Sequence, residues 1–240
     1  MINKDYLDKL IIKHQTIRQN IYREYYQHVF LSYCYQQKGA DNLFFKGGTA
    51  LRLLHGSPRF SEDLDFDANI HDQKVIENIL EDTMVEMERE QIVTNLTEGK
   101  STTGGYLAVV EFKAFKQRVP VKLEISFRKS GLVGETFVVE NDFIPAYNLM
   151  SLTIEQLVEG KMKALFDRHK PRDFFDLYYI LRAQLLPVSM RSKLKEVLPL
   201  LRKSNIDFRG ELGTFLPKNQ ALIIKYFSDS LTREIERYRG

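Results

Sequence analysis

Residues 42–67 of the 240-residue chain read NLFFKGGTALRLLHGSPRFSEDLDFD. The pattern predicts a short apolar strand from Leu43, a Lys-Gly-Gly-Thr turn, a few helical residues and a second strand that carries Asp63, Asp65 and Asp67. Side chains of a strand alternate between its faces, so the three aspartates share one face. Same-face neighbours lie about 7 Å apart, and three like charges in such a row need a partner. A divalent metal ion is the obvious candidate.

A glycine turn precedes this acidic strand. Gly47 and Gly48 stand before Thr49, where the predicted first strand gives way to a helix. Because glycine has no Cβ, backbone N–H groups can approach a phosphate there, and the helix dipole favours the same anion. A glycine pair alone is more often a plain tight turn, and an aspartate row alone can be a solvated sheet face. Found together in one short segment, the two features favour a phosphate site beside a metal site.

A later strand supplies a further carboxylate. Over residues 119–127 the odd positions from 121 onward are apolar, so Glu124 points to the face opposite the core. Carboxylates at positions i and i+2 of a strand can bind Mg²⁺, which prefers oxygen ligands, water and substrate phosphates. Two such ions about 4 Å apart could activate an attacking hydroxyl and hold the leaving oxygen in line. The glycine turn, the acidic strand and Glu124 therefore predict nucleotidyl or phosphoryl transfer.

Lys161 occupies an unusual position in a helix predicted over residues 153–168. At ~100° per residue, this lysine falls near the centre of the apolar face, and Lys163 falls on the opposite side. The apolar face is formed by Ile154, Leu157, Val158 and Leu165. A lysine there is costly unless it is paired or binds a ligand. We expect Lys161 to contact the triphosphate or the departing pyrophosphate; snorkelling, or a salt bridge to an interior acid, is the alternative. Lys163 is expected to be dispensable.

The hydrophobic pattern divides the chain into an α/β half, residues 1–148, and a helical half, residues 149–240. In the first half, one amphipathic helix or a helix pair is predicted at 4–37 and a helix at 71–91. Further strands are predicted at 92–96, 106–112, 119–127 and 137–139. After Pro145 the pattern is helical, with helices predicted at 153–168, 172–185, 189–203 and 218–237. The predicted fold class is α+β: a mixed β-sheet with flanking helices, followed by a C-terminal helical bundle that contributes Lys161 to the site.

Charge and hydropathy restrict the possible partners and the expected cellular location only slightly. The 35 basic and 32 acidic residues give a net charge of +3, which permits a polyanionic partner without requiring one. The N-terminus, MINKDYLDKL, is charged within its first five residues and does not read as a signal peptide. No stretch approaches the roughly 18 consecutive apolar residues of a membrane span. A cytoplasmic protein with no membrane partner is therefore expected.

The chain resembles the AbiEii/AbiGii nucleotidyltransferase family in four segments, which occur in the family's order. They are Lys46-Gly-Gly-Thr-Ala-Leu-Arg, Arg59-Phe-Ser-Glu-Asp-Leu-Asp-Phe-Asp67, Glu159-Gly-Lys-Met-Lys-Ala-Leu and Pro171-Arg-Asp-Phe-Phe-Asp-Leu-Tyr. Members are the toxin halves of bacterial abortive-infection and toxin–antitoxin pairs. They are related to the MenT toxins and share the polymerase-β-like nucleotidyltransferase fold. The resemblance thus implies a nucleotidyltransferase-like sheet.

The resemblance also implies roles for individual residues. The implied phosphate-binding residues are Gly47, Gly48, Thr49 and Ser61. The implied metal-binding carboxylates are Asp63 and Asp65. Lys161 matches the family's helical lysine, and Asp173 or Asp176 matches the acidic residue of the next helix. The gap between the glycine pair and Asp63 is slightly longer than in the broad superfamily, so Asp65 with Asp67 stays open as the metal pair.

The segment that begins at Pro171 permits a structural and a functional interpretation. Proline suits a first helical turn, Asp173 suits the positive end of a helix, and Arg172 with Asp176 is an i, i+4 pair. In the functional interpretation, Asp173 or Asp176 orients Lys161 or a substrate group. Arg59, which flanks the predicted phosphate site, is a further candidate for phosphate binding.

These observations lead to one hypothesis with two rivals. We expect Mg²⁺-dependent transfer of a nucleoside monophosphate from an NTP to an acceptor hydroxyl, with two metal ions held by Asp63, Asp65 and Glu124. Glu124 would also favour deprotonation of the acceptor. By family analogy the acceptor is the 3′ end of tRNA, the consequence is growth arrest or phage defence, and a cognate antitoxin is a partner. The rivals are a small-molecule, antibiotic-type nucleotidyltransferase and a non-catalytic nucleotide- or protein-binding module.

Overall fold

The computed structural model describes residues 3–70, 72–114, 117–203 and 206–238. The chain forms two compact units. The first comprises Met1–Gly56 and Phe60–Leu152, and the second comprises Ser57–Arg59 and Thr153–Gly240. The short segment 57–59 therefore belongs to the second unit although it lies between two elements of the first.

A seven-stranded mixed sheet forms the first unit. Its strands are β1 (Leu43–Lys46), β2 (Asp63–Ala68), β3 (Thr94–Thr102), β4 (Gly105–Ala114), β5 (Gln117–Ser126), β6 (Gly134–Val139) and β7 (Tyr147–Leu152). Their order across the sheet is β3-β4-β5-β2-β1-β7-β6. The β2–β5 and β1–β7 pairs are parallel and the other pairs are antiparallel. The acidic strand β2 is thus the central strand, with a neighbour on each side.

The helices of the first unit cover the sheet and its ends. They are α1 (Lys4–Lys13), α2 (Arg18–Cys34), α3 (Gly47–His55) and α4 (Gln73–Arg89), with a 3₁₀ turn at Ala40–Asn42. Most of α2 is buried, and Tyr26 stacks on Phe112 of β4 with ring centroids 4.4 Å apart. Stacked aromatic pairs of this kind add to the energy of area burial. The sequence pattern over residues 4–37 predicted one amphipathic helix or a helix pair, and the structure has the pair.

β7 is an element that the sequence pattern did not predict. It follows Pro145, after which only helices were expected. Ser151 lies opposite Phe45 of β1, is fully buried, and donates a hydrogen bond from its hydroxyl to the Phe45 carbonyl at 2.8 Å. A polar residue at a core position interrupts the apolar alternation by which a strand is recognised. The first unit extends to Leu152 because β7 pairs with both β1 and β6.

The second unit is helical throughout its described elements. They are α5 (Ile154–Arg168), α6 (Pro171–Arg182), α7 (Leu194–Lys203), α8 (Phe208–Leu212), α9 (Ala221–Lys225) and α10 (Phe227–Arg237), with 3₁₀ turns at Val188–Lys193 and Lys218–Gln220. Helices α5 and α6 occupy their predicted segments. The predicted helix 189–203 begins as a 3₁₀ turn before α7, and the predicted helix 218–237 is divided into a 3₁₀ turn, α9 and α10. The short helix α8 was not predicted. No helix in the described ranges is long and apolar enough to cross a membrane. The predicted α+β class is confirmed.

Candidate functional site

The register of β2 assembles an acidic face at the centre of the sheet. Asp65 lies opposite Lys46 on β1 and opposite Glu124 on β5. Asp63 lies opposite Lys122, which precedes Glu124 by two residues on β5. Because directly paired residues of neighbouring strands point to the same face, these five side chains share one side of the sheet. The predicted grouping of Asp63, Asp65 and Glu124 on one face therefore exists.

The glycine turn lies against this face. Gly47 has a φ of +83°, and a Cβ atom built on it would stand 2.0 Å from Asp65 Oδ2. Only glycine fits such a position, because both the backbone conformation and the space exclude a side chain. Gly47, Gly48 and Thr49 are the first three residues of α3, and the N-cap residue Lys46 gives no side-chain cap. First-turn N–H groups have no partner within a helix and favour an anion.

Side-chain hydrogen bonds hold the rest of the segment in place. Thr49 is fully buried, and its hydroxyl donates to the Asp63 carbonyl at 2.5 Å. Its hydroxyl thus joins α3 to β2, and a phosphate contact of Thr49 would use the backbone N–H. The carbonyls of Ser61 and Glu62 accept hydrogen bonds from Gln27 Nε2 at 3.2 and 3.0 Å. These hydrogen bonds therefore fix the backbone of residues 61–62, which leads into β2.

Asp67 differs from the two aspartates before it. Its carboxylate is 1% exposed, is ion-paired with Lys46 and lies 3.7 Å from Lys129 Nζ. Asp63 and Asp65 are half-buried. Two lysines therefore pair with Asp67 within the first unit, and Asp63 and Asp65 are the more accessible of the three carboxylates.

Lys122 is one of the two lysines on the acidic face, and sequence analysis gave it no role. Its ammonium donates a hydrogen bond to Glu124. This bond, followed by the charges of Asp63, Glu124 and Asp65, raises the pKa of Lys122 against the opposing effect of burial. The sequence did contain a signal for this role, because Lys122 is two residues from Glu124 on the same strand and therefore shares its face. Lys46 was likewise missed as the partner of Asp67.

The donor set fits a magnesium ion only in part. Among the described residues no group of three His, Cys, Asp or Glu side chains is arranged to hold a metal, and Glu124 is engaged by Lys122. Magnesium keeps several waters, however, and commonly binds one or two carboxylates together with substrate phosphates. The oxygens of Asp63 and Asp65 beside the N-terminus of α3 match that requirement, whereas the described residues do not form a preformed site of three carboxylates.

The second unit contains a buried ion cluster of predicted site residues. Arg59 donates to both oxygens of Asp176 at 2.8 and 3.0 Å, and Lys161 Nζ donates to Asp176 Oδ2 at 2.6 Å. Burial alone would raise the pKa of Asp176, but the charges of Arg59 and Lys161 overcome it and lower the pKa to about 2. Lys161 therefore has the interior acid partner that was one of the two interpretations of its position. Contact of Lys161 with a triphosphate, the other interpretation, stays a prediction.

Asp173 acts at the start of α6. Its carboxylate accepts from the backbone N–H of Lys170 at 3.3 Å and from Arg168 Nη2 at 2.5 Å. This contact matches the predicted structural role at the positive helix end. The predicted pair of Arg172 with Asp176 does not form, because Arg59 and Lys161 hold the Asp176 carboxylate; the ion-pair partner of Arg172 is Glu211 at 3.7 Å.

Known proteins match this chain in sequence family and in fold. Residues 30–235 match a family model described as the nucleotidyl transferase AbiEii toxin of type IV TA systems. No curated protein matches the chain. The crystal structure of JHP933 from Helicobacter pylori is similar, with a TM-score of 0.67, 23% identity and coverage of 93% of each chain. A second H. pylori structure, provisionally assigned as a nucleotidyltransferase, gives a TM-score of 0.66 at 24% identity, covering 92% of this chain and 94% of that one. Both H. pylori structures share the fold of this chain.

Proposed function

This chain belongs to the AbiEii family of nucleotidyltransferase toxins from type IV toxin–antitoxin systems, and we propose that it transfers a nucleoside monophosphate from an NTP to an acceptor hydroxyl with magnesium bound at Asp63 and Asp65. The observation that carries this proposal is the contact between Gly47 and Asp65. It puts a carboxylate beside the first turn of a helix that favours phosphate. Magnesium, when bound there, would neutralise the triphosphate and polarise the transferring phosphoryl group.

The proposed reaction is an in-line displacement at the α-phosphorus. The acceptor oxygen forms a bond to the α-phosphorus, the bond from that phosphorus to the bridging oxygen breaks, and pyrophosphate leaves with the electron pair. The acceptor proton passes to a carboxylate of the acidic face or to water. Such chemistry asks the protein mainly for positioning and charge stabilisation.

Roles of the chain's own residues follow from this reaction. The backbone of Gly47, Gly48 and Thr49 would hold the triphosphate. Glu124 would approach the acceptor once Lys122 releases it, because the NTP and its metal bring other charges to the acidic face. Lys161 stays predicted to contact the triphosphate, with Asp176 orienting its ammonium. Ser61, Arg59 and Asp173 stay candidates for the same task, although Arg59 and Asp173 already have ionic partners.

The finer identity of the acceptor and partners is also proposed by family analogy. The first acceptor to test is the 3′ end of tRNA, and the expected biological effect is growth arrest that serves in phage defence. Membership of a type IV toxin–antitoxin family implies a cognate antitoxin and an NTP substrate.

The test is incubation of the purified protein with each labelled NTP, Mg²⁺ and total bacterial RNA. We expect label on RNA with at least one NTP, its loss on chelation of the metal, and its loss in Asp65→Asn. Asp82→Asn is the matched control, because Asp82 is an exposed carboxylate on α4. Label on small hydroxyl compounds but not on RNA would favour the antibiotic-type rival. Metal-dependent NTP binding without any transfer would favour the non-catalytic module.

A further inference from the structure

A cavity of about 320 Å³ lies beside the acidic face, within the first unit. Its wall includes Asp65 and Glu124 from the face itself, Lys46 from β1, and Arg128 just beyond the end of β5. Residues of the turn that joins β3 to β4 also line it. Carboxylates and cations thus meet in one cavity of the size that small ligands use.

The β3–β4 turn is shaped around Arg128. Gly104 has a φ of +82°, and a Cβ atom there would stand 2.9 Å from Arg128 Cγ and Nε. The guanidinium crosses the glycine and donates to the Thr103 carbonyl from Nε at 3.1 Å and from Nη2 at 2.5 Å. A guanidinium carries five N–H donors in a rigid fork, so these two bonds fix its position and leave donors for an anion.

The second glycine of the turn brings its backbone onto β5. A Cβ atom at Gly105 would stand 2.3 Å from the carbonyl oxygen of Ile125. No side chain fits between the turn and this strand. The backbone at Gly104 therefore lies close to the Arg128 side chain, and the backbone at Gly105 lies close to β5. Arg128 itself lines the cavity.

The cavity lies mainly on one side of the acidic strand. Its β4 and β5 residues flank β2 on the side away from β1, whereas the glycine turn at Gly47 directly follows β1. In an in-line displacement the attacking and leaving oxygens lie on opposite sides of the phosphorus. If the departing pyrophosphate is held at the start of α3, the acceptor enters from the β5 side.

We propose that this cavity binds the terminal nucleotide of an RNA acceptor, with its phosphate on Arg128 and its ribose hydroxyl toward Asp65 and Glu124. The inference rests on the proposed function and assigns the acceptor a binding site. The fork of a guanidinium matches phosphate geometry, which an ammonium does not. Arg128 is exposed, so the phosphate reaches it without opening the fold.

The test compares Arg128→Ala and Arg128→Lys with Arg118→Ala. Arg118 is the control because it stands at the other end of β5, with its exposed side chain paired to Glu111 at 3.3 Å. In transfer assays we expect Arg128→Ala to raise KM for a short single-stranded RNA at least tenfold and to leave KM for the NTP unchanged. Arg128→Lys restores only part of the loss, and Arg118→Ala has wild-type constants.

A binding assay without NTP completes the experiment. The fluorescence anisotropy of labelled RNA, measured over a range of salt concentrations, should give a salt slope lower by about one in Arg128→Ala, because one phosphate contact is lost. A rise in KM for the NTP instead, or unchanged RNA binding and slope, would overturn the inference. Absence of transfer by the wild-type protein with every NTP counts against the proposed function alone, since the anisotropy measurement still reports on Arg128.

Discussion

Gly47 and Asp65 are in direct contact: a Cβ atom at position 47 would stand 2.0 Å from Asp65 Oδ2. The residues are separated by a helix and a loop in sequence, yet the antiparallel pairing of β1 with β2 returns Asp65 to the start of α3. One contact thus joins the predicted phosphate turn to a predicted metal ligand. Any side chain at position 47 must displace the carboxylate.

We therefore expect Gly47→Ala to impair transfer far more than folding. The positive φ costs about 1–3 kcal/mol of stability in a non-glycine residue. A displacement of Asp65 by about 1 Å lowers the rate of transfer about 100-fold. Label transfer to RNA and urea unfolding measure the two effects. Gly160→Ala is the control: Gly160 lies in α5 with no heavy atom within 4 Å of an added Cβ, and we expect it to gain about 0.5–1 kcal/mol. Wild-type transfer by Gly47→Ala would show that the turn does not position Asp65.

The three aspartates of β2 should separate into two functions. Asp67 is buried and paired with Lys46, so Asp67→Asn is expected to cost about 1–3 kcal/mol of stability through the lost charge-assisted bond. Asp65→Asn should cost less stability than Asp67→Asn, since Asp65 is half-buried, and should lose transfer at least 100-fold. Urea unfolding and the label assay give both readouts. Loss of transfer in Asp67→Asn at wild-type stability would make Asp65 and Asp67 the metal pair.

The sequence predicted the local part of this site. Period-two alternation identified β2 and the common face of its aspartates, and the glycine pair marked the start of α3. Charge partners were harder to predict, because they depend on pairings over long separations in the chain. Lys46 is 21 residues from Asp67, and Arg59 is 117 residues from Asp176. Helical periodicity did place Lys161 among buried residues. Because a lysine there is costly unless it is paired, an interior acid partner could be named as an alternative.

The buried histidine of α2 should make stability depend on pH. Burial, together with the charge of Arg52 and against that of Glu24, lowers the pKa of His28 to about 4. In the unfolded chain His28 binds a proton near pH 6.5, whereas in the native state it stays neutral down to about pH 4. The native state therefore loses stability as the pH falls from 6.5 towards 4. We expect a loss of about 2 kcal/mol between pH 7 and pH 5. Urea unfolding at both pH values measures it. His28→Asn keeps a polar group near the Tyr147 hydroxyl, to which His28 Nδ1 hydrogen-bonds at 2.9 Å, and should lose clearly less.

Asp176→Asn should be among the most destabilising single changes in the second unit. It removes the carboxylate that accepts hydrogen bonds from the buried guanidinium of Arg59 and the nearly buried ammonium of Lys161, at a cost of about 3–5 kcal/mol. The lowered pKa of Asp176, about 2, also predicts how the stability of the protein depends on pH. Asp176 contributes stability above the ordinary aspartate pKa, and the contribution is lost as the pH falls through 2. Thermal unfolding of the variant checks the cost. A variant as stable as the wild type would show that the cluster does not hold the unit together.

Lys161→Met tests whether the same cluster also serves transfer. Methionine replaces the stem of Lys161 at similar length, and Asp176 keeps both hydrogen bonds from Arg59. We expect a loss of stability of about 1–3 kcal/mol from the lost charge-assisted bond to Asp176. We also expect a loss of transfer of at least tenfold, with KM for the NTP raised because a triphosphate contact is lost. Lys163→Met is the matched control, since Lys163 is two residues away and exposed. Thermal unfolding and steady-state transfer assays give the two readouts. If Lys161→Met and Lys163→Met transfer label equally well, the ammonium of Lys161 is only the partner of Asp176, and its predicted contact with the triphosphate is wrong.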